Sequence, residues 1–473
     1  MRLLIAGGGG FRVPLIYRAL ASGRFAGMAS ALVLYDVDPA RLEAVTAVLR
    51  SMPGGPGTPL PVHATTDLRE GLAGAGMVFA AIRPGGTAGR VADEKVAQDL
   101  GLLGQETTGA GGISYALRTI PHMLTLARLM KEHCPDAWLI NFTNPAGMVT
   151  EALLPVLGRN VIGICDSAGA LVQRAARAAG VTLPEGTLDG VGYYGLNHLG
   201  WLYRLESEGR DALPALLSDP AALHTFEEGR LFPQPFLAGL GALPNEYLYY
   251  YYQQDAAREA MRAMARTRGE TIHSQQQELY PRLAAAGADA FRLWEEARRS
   301  REEGYLAEAR GTGEQRDEDD LEGGGYERVA LAAMHALSGA ASTQLILNTR
   351  NSLAPAPDAG TTNRDAPMQT APQPAIPGLP ADAVVEVPCT VTAAGALPLA
   401  QQAPPEPQLG LLRRVKEVER LTVRAAVGGD RDAALTAFAR HPLVDSENLA
   451  RALLTGYERE FPGLRDLWCH GGR

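Results

Sequence analysis

Strands that alternate with helices, a glycine turn directly after the first strand and an acid closing the second predict an α/β chain on a doubly wound parallel sheet. "RLLIAGGGG" reads as a buried strand entering the turn Gly7–Gly10. "PLIYRALASG" is the helix that follows, and "SALVLYDVD" the second strand, which closes at Asp36. "PARLEAVTAVLRSM" is helical, with apolar residues at three- and four-residue spacing. "MVFAAIRPGG", "AWLINFTNPAG" and "NVIGICDSAG" are three further strand-to-loop units, separated by helical stretches such as "ALRTIPHMLTLARLMKEH". Parallel neighbours need a crossover, so this alternation makes the first part Rossmann-like. Chemistry in such sheets gathers at the carboxyl ends of strands, where Arg83, Asn144 and Cys165 fall.

The pattern changes near residue 190, which divides the chain into a domain 1–190 and an α+β domain 191–473. "GTLDGVGYYGLNHLGWLYRLE" reads as strands of a mixed or antiparallel sheet, and helices follow around 245–310. Residues 296–328 are charged and glycine-rich, a solvated helix end and loop. Residues 354–380 are proline-rich and read as an extended loop. "LLRRVKEVERLTVRAAVGG" returns to helix.

At 473 residues the chain exceeds one ordinary core, in keeping with two domains. Its net charge of −9 argues against nucleic acid or an anionic membrane as partner. Cys134, Cys165, Cys389 and Cys469 are scattered without CxxC pairing and read as reduced thiols. "MRLLIAGGGG" is no signal peptide, and no stretch approaches the ~18 apolar residues of a membrane helix. These features predict a cytoplasmic protein.

Gly7, Gly8, Gly9 and Gly10 stand between a strand and a helix, where amides and a helix N-terminus can take a pyrophosphate. The strict GxGxxG is absent, since Arg12 holds its third glycine position, and a structural turn fits equally. Asp36 adds an acceptor for ribose hydroxyls, which favours NAD over NADP. Cys165 and His198 are candidate ligands for a divalent cation. A lone Cys after Ile and a lone His beside Leu and Trp also serve as ordinary core residues. Two protein ligands would leave an open, catalytic site. Asn144 either starts a turn before Pro145 or presents its amide to a polar ligand. Of the tyrosines in "PNEYLYYYY", most must pack, and one can reach a site.

Taken together, "GGGGFRVPLI", "YDVDPARL", "RPGGTAGRVADE", "GLLGQETTGAGG", "NFTNPAGMVTEAL", "GICDS", "YYGLNHLGW", "PNEYLYYY", "LNTRN" and "VEVPC" resemble glycoside hydrolase family 4 across nearly the whole chain. The closest branch is the 6-phospho-β-glucosidases. The resemblance implies a two-domain plan like that of lactate and malate dehydrogenases, assembled as a homodimer or homotetramer. It also implies a glycosidase outside the usual two-carboxylate scheme. NAD⁺ takes hydride from C3 of the sugar, a base removes the acidified C2 proton, the C1 substituent leaves, water adds, and the ketone is reduced again. By the same resemblance Cys165 and His198 hold Mn²⁺ or another divalent cation, which steadies the enediolate oxygens. Tyr247 is the base, and Glu106 raises its basicity by accepting a proton or hydrogen bond. Arg90 and Asn144 hold the sugar, and Asp166 is the acid for the departing group.

The sequence departs from the family pattern in three places. The glycine turn continues Gly10, Phe11, Arg12, Val13, Pro14, where relatives have Ser and then Thr-Pro. "EGGGYER" puts Glu322 where phospho-glucosidases carry an arginine and Glu327 where they carry a serine. An acid there repels a phosphate unless Arg12, Arg316 or Arg328 substitutes. "CDSA" has an Asp after the Cys, as in phospho-α members. The substrate that the resemblance implies is a glucoside or 6-phospho-glucoside, β favoured. The alternatives are an unphosphorylated or α-linked glycoside, an NAD-dependent 2-hydroxy-acid dehydrogenase, and a non-catalytic NAD or sugar sensor.

Overall fold

The computed structural model describes residues 1–21, 25–53, 60–304, 325–354 and 373–470. Glu322, Arg316 and residues 355–372 of the proline-rich stretch lie outside these described residues. The strands are β1 (Arg2–Ala6), β2 (Ala31–Tyr35), β3 (Val62–Thr65), β4 (Met77–Ala80), β5 (Trp138–Asn141), β6 (Val161–Gly163), β7 (Val191–Leu196), β8 (Leu199–Ser207), β9 (Arg210–Asp211), β10 (Leu243–Pro244), β11 (Thr343–Arg350), β12 (Val384–Thr392) and β13 (Gly395–Pro398). They form one sheet in the order β10-β8-β7-β12-β11-β6-β5-β4-β1-β2-β3, with β13 beside β12 and β9 beside β8.

From β3 to β6 every pairing is parallel, as the strand–helix alternation predicts. The remaining pairings are antiparallel. The β11–β12 hairpin inserts between β6 and β7, so the sheet runs on without a break across residue 190.

The parallel strands other than the edge strand β3 are apolar on both faces because helices cover both. Along β1, Leu3 and Ile5 enter one core while Leu4 and Ala6 enter the other. Helices Val13–Ala21, Pro39–Ser51 and Ser167–Ala178 cover the first face. Ala110–His133, Ala146–Leu157 and Glu406–Gly428 cover the second. No helix among the described residues is long and apolar enough to cross a membrane.

The first turn is tight. Gly7 has φ +94, and a Cβ there would lie 2.5 Å from the Ala81 carbonyl oxygen, so only glycine lets β1 and β4 close at their carboxyl ends.

Candidate active site

A cleft of about 920 Å³ opens at the carboxyl ends of β4, β5 and β6 and at the β7–β8 turn. Arg90, Glu106, Asn144, Cys165, Asp166, His198 and Tyr247 all line it, so seven residues far apart in sequence share one chamber. Gly7–Gly10 and Asp36 are not among its lining residues and sit at the neighbouring turn.

His198 occupies a two-residue turn, since Leu196 and Leu199 pair directly across the hairpin. Its φ of +62 is left-handed, a conformation that costs a non-glycine residue about 1–3 kcal/mol and that clusters at functional sites. The side chain is buried, and its Nδ1 has no hydrogen-bond partner among the described residues. Burial pushes the imidazole down to about 3, so the ring is neutral with a lone pair to offer at physiological pH. The Tyr247 ring lies flat on it, centroids 3.8 Å apart at 9°. Asn245 sets that tyrosine's place by accepting the Tyr247 amide proton at 2.8 Å, capping the turn Glu246–Leu248.

Cys165 lies two residues beyond the end of β6, buried. Burial first, then the charges of Glu386 and Asp166, push its thiol well up; a divalent cation reverses that balance, because a coordinated thiol ionises. Asp166 faces Arg12 at 3.7 Å. Burial pushes its carboxyl up against the pull of that guanidinium. Among the described residues no three His, Cys, Asp or Glu form a closed metal cage. The donor set is an orphaned imidazole and a thiol in one open cleft, which fits a cation that completes its shell with substrate oxygens and water.

Glu106 stands between two arginines, with Arg83 Nη1 at 2.5 Å and Arg90 Nη1 at 2.7 Å. Arg90 also donates from Nε to Glu94 Oε1 at 2.8 Å. Burial opposes ionisation of Glu106, but the two cations outweigh it and hold the carboxyl below its usual range. Its charge reaches His198. Glu106 is thus a fixed anion able to accept hydrogen bonds, and a poor proton acceptor. Asn144 precedes helix Ala146–Leu157, whose first amide donates to Asn197 Oδ1 at 3.0 Å; the residue next to His198 therefore also anchors the turn that carries Asn144.

In the glycine turn, the Gly7 and Gly8 amides donate to the Tyr35 carbonyl, Gly10 to the Gly7 carbonyl, and Gly9 to Asp36 Oδ2 at 2.9 Å. All four are used inside the turn. Among the described residues the amides of Phe11 and Arg12, just before helix Val13–Ala21, make no hydrogen bond.

The family 4 glycosyl hydrolase model matches residues 3–181, and the model of the family's C-terminal domain matches residues 193–444. The chain belongs to glycosyl hydrolase family 4. A probable 6-phospho-beta-glucosidase of Bacillus subtilis (strain 168) is 30% identical over 423 residues, 88% of this chain and 85% of the relative. A 6-phospho-alpha-glucosidase of Leptotrichia buccalis is 26% identical over 470 residues, 96% of each chain. The 6-phospho-beta glucosidase of Thermotoga maritima, solved with manganese, NAD+ and glucose-6-phosphate, shares the fold with a TM-score of 0.76 at 24% identity, covering 98% of this chain and 99% of that one.

Sequence reasoning about this family 4 hydrolase missed three cleft-facing or supporting groups, Tyr250, Arg301 and Glu386, and the partner of a fourth, Arg83. Tyr250 lines the cleft as well as Tyr247, although one tyrosine was expected. Arg83 carries a specific partner, Glu106, which its place at a strand end did not disclose. Arg301 reaches the cleft from helix Ala290–Glu303, with its guanidinium 5.0 Å over the Phe11 ring. Glu386 is a buried carboxylate in the middle of β12, signalled only by an acid inside the apolar run "VVEVPC".

Proposed function

We propose that this family 4 hydrolase cleaves a glucoside or 6-phospho-glucoside, β favoured, using NAD and a divalent cation, with Mn²⁺ the expected ion. The observation that carries the reading is His198: neutral, buried and with an orphaned Nδ1, it lines the cleft that also holds Cys165, Asp166 and Tyr247. When bound, NAD supplies a reversible hydride acceptor at the sugar's C3, and the cation supplies positive charge for the oxygens on C2 and C3.

The chain's own residues divide the remaining work. Cys165 and His198 hold the cation. Tyr247 removes the C2 proton, its ring fixed by the stack on His198. Glu106, locked between Arg83 and Arg90, contributes a constant negative charge beside that pair. Arg90 and Asn144 orient sugar hydroxyls. Asp166 protonates the leaving oxygen, and its burial favours the protonated form this requires. The Phe11 and Arg12 amides and Asp36 hold the dinucleotide.

Recognition of a 6-phosphate is supported by the cleft's cations. The Arg301 guanidinium forms no ion pair among the described residues, and burial with the charges of Arg12, Arg90 and Arg268 pushes it down to about 9. An anion relieves that crowding. Glu322 and the Cys165–Asp166 pair favour the second reading, an unphosphorylated or α-linked glycoside. We also expect a homodimer or homotetramer in the cytoplasm, the latter supported by four free thiols. A panel of α- and β-nitrophenyl glucosides with and without 6-phosphate tests the reading. Hydrolysis is expected only with NAD⁺, Mn²⁺ and reductant together, and turnover by protein exhaustively stripped of NAD contradicts it.

A further inference from the structure

One row of residues crosses the sheet from the strand that leads to Cys165 to the hairpin that carries His198. Gly163 of β6 pairs with Asn348 of β11, Asn348 with Glu386 of β12, and Glu386 with Gly195 of β7. Three inter-strand spacings make this span roughly 14 Å. At its centre the Glu386 carboxylate is 1% exposed. Its Oε2 accepts the Tyr193 hydroxyl at 2.9 Å, and its Oε1 accepts Asn348 Nδ2 at 3.1 Å and Asn197 Nδ2 at 3.4 Å. Asn197 is the other residue of the His198 turn, and its Oδ1 accepts the Ala146 amide two residues after Asn144. Next to Gly163 there is no slack: a Cβ there would meet Thr150 Oγ1 at 2.4 Å and Asn348 Cβ at 2.8 Å.

Every donor to Glu386 is neutral, and it makes no ion pair among the described residues. A buried carboxylate without a cation is costly: burial pushes the Glu386 carboxyl up to about 7 even though its three donors favour the ionised form. A divalent ion on Cys165 and His198 supplies the missing positive charge.

We infer that Glu386 is a positioning residue for the metal centre: one buried carboxylate ties the His198 turn, the strand before Cys165 and the Asn144 turn together, and its negative charge strengthens the cation's hold. This rests on the proposed reading of Cys165 and His198 as ligands. Glu386 is not among the residues that line the cleft. It acts through Asn197 and through the field at the site.

The test measures Mn²⁺ binding to the full-length protein by the electron paramagnetic resonance of free Mn²⁺, alongside NAD⁺ binding by fluorescence quenching and the melting temperature. Glu386→Gln keeps the size and an acceptor for Tyr193 and removes the charge. It is expected to weaken Mn²⁺ binding by about 10–100-fold, with NAD⁺ affinity within about twofold of wild type. Asn197→Ala cuts the tie and leaves the carboxylate; about a tenfold weaker Mn²⁺ affinity with unchanged NAD⁺ binding is expected. Unchanged Mn²⁺ affinity in both variants overturns the inference, as does a parallel loss of Mn²⁺ binding, NAD⁺ binding and melting temperature, which marks mere structural support. If wild type binds Mn²⁺ no better than His198→Ala, the ligand reading falls and takes the inference with it.

Discussion

At His198, strain, burial and an unused ring nitrogen coincide in one side chain. A core histidine with no ligand to meet would be expected to satisfy both nitrogens, since buried polar groups are normally paired. His198→Ala and Cys165→Ser should each abolish saturable Mn²⁺ binding while the circular dichroism spectrum stays that of wild type. Tyr247→Phe keeps the stacked ring and removes the hydroxyl; kcat should fall about 10²–10⁴-fold with KM within a few fold, as loss of a general base requires. The buried acid beside that tyrosine yields a stability prediction. Burial first, then the charge of Glu228, pushes Glu246 from an ordinary 4.5 up to about 8. Between those values the fold holds a proton that the unfolded chain has released, so stability falls as pH rises through the window. The metal-free protein should therefore melt progressively lower from about pH 5 to 8, with a shallower fall in Glu246→Gln. Cys165 and His198 were legible as cleft residues because each lies in a short stretch of unusual composition, whereas Tyr247 was singled out from its run of tyrosines only by the family resemblance. The His198–Tyr247 stack and the Arg83–Glu106 pair were not, because side-chain contacts between distant segments leave no mark on local spacing.

Among the elements, the glycine turn shows how a weak motif can still be a demanding one. A Cβ on Gly9 would lie 2.6 Å from Arg41 Cβ and 2.9 Å from Asp36 Oδ2. Arg41 cannot yield easily, because its guanidinium lies 3.9 Å over the Tyr280 ring and donates to Tyr280 Oη at 2.6 Å, while Tyr280 donates to the Gly9 carbonyl at 2.8 Å. Gly9→Ala must displace Asp36, so NAD⁺ affinity measured by fluorescence should fall about tenfold or more, while Mn²⁺ binding is retained. The first two strands and their helices were readable from periodicity because their partners are close in sequence. β6 was harder to bound: the apolar run through Ile164 and Cys165 reads as strand, but the register ends at Gly163, the Ile164 amide still donates to the Asn141 carbonyl at 2.9 Å, and Cys165 follows at the edge of the cleft. The turn amides that make no hydrogen bond among the described residues belong to Phe11 and Arg12, which a glycine pattern does not single out.

Across the whole molecule, the decisive feature is the insertion of β11–β12 between β6 and β7. Strands from residues 343–392 join the sheet between strands that end at 163 and begin at 191, and only this non-local pairing brings the Cys165 and His198 segments into one frame. No local signal announces such a pairing, which explains why the change of pattern near residue 190 was visible and the sheet's continuity was not. The central claim is that the cleft oxidises, deprotonates and restores a single sugar ring. It is tested most directly by running hydrolysis in deuterium oxide with NAD⁺ and Mn²⁺ and locating hydrogen in the released sugar by NMR. The account predicts one deuterium at C2, none at C3, and no net NADH. A product that keeps its original C2 hydrogen contradicts it.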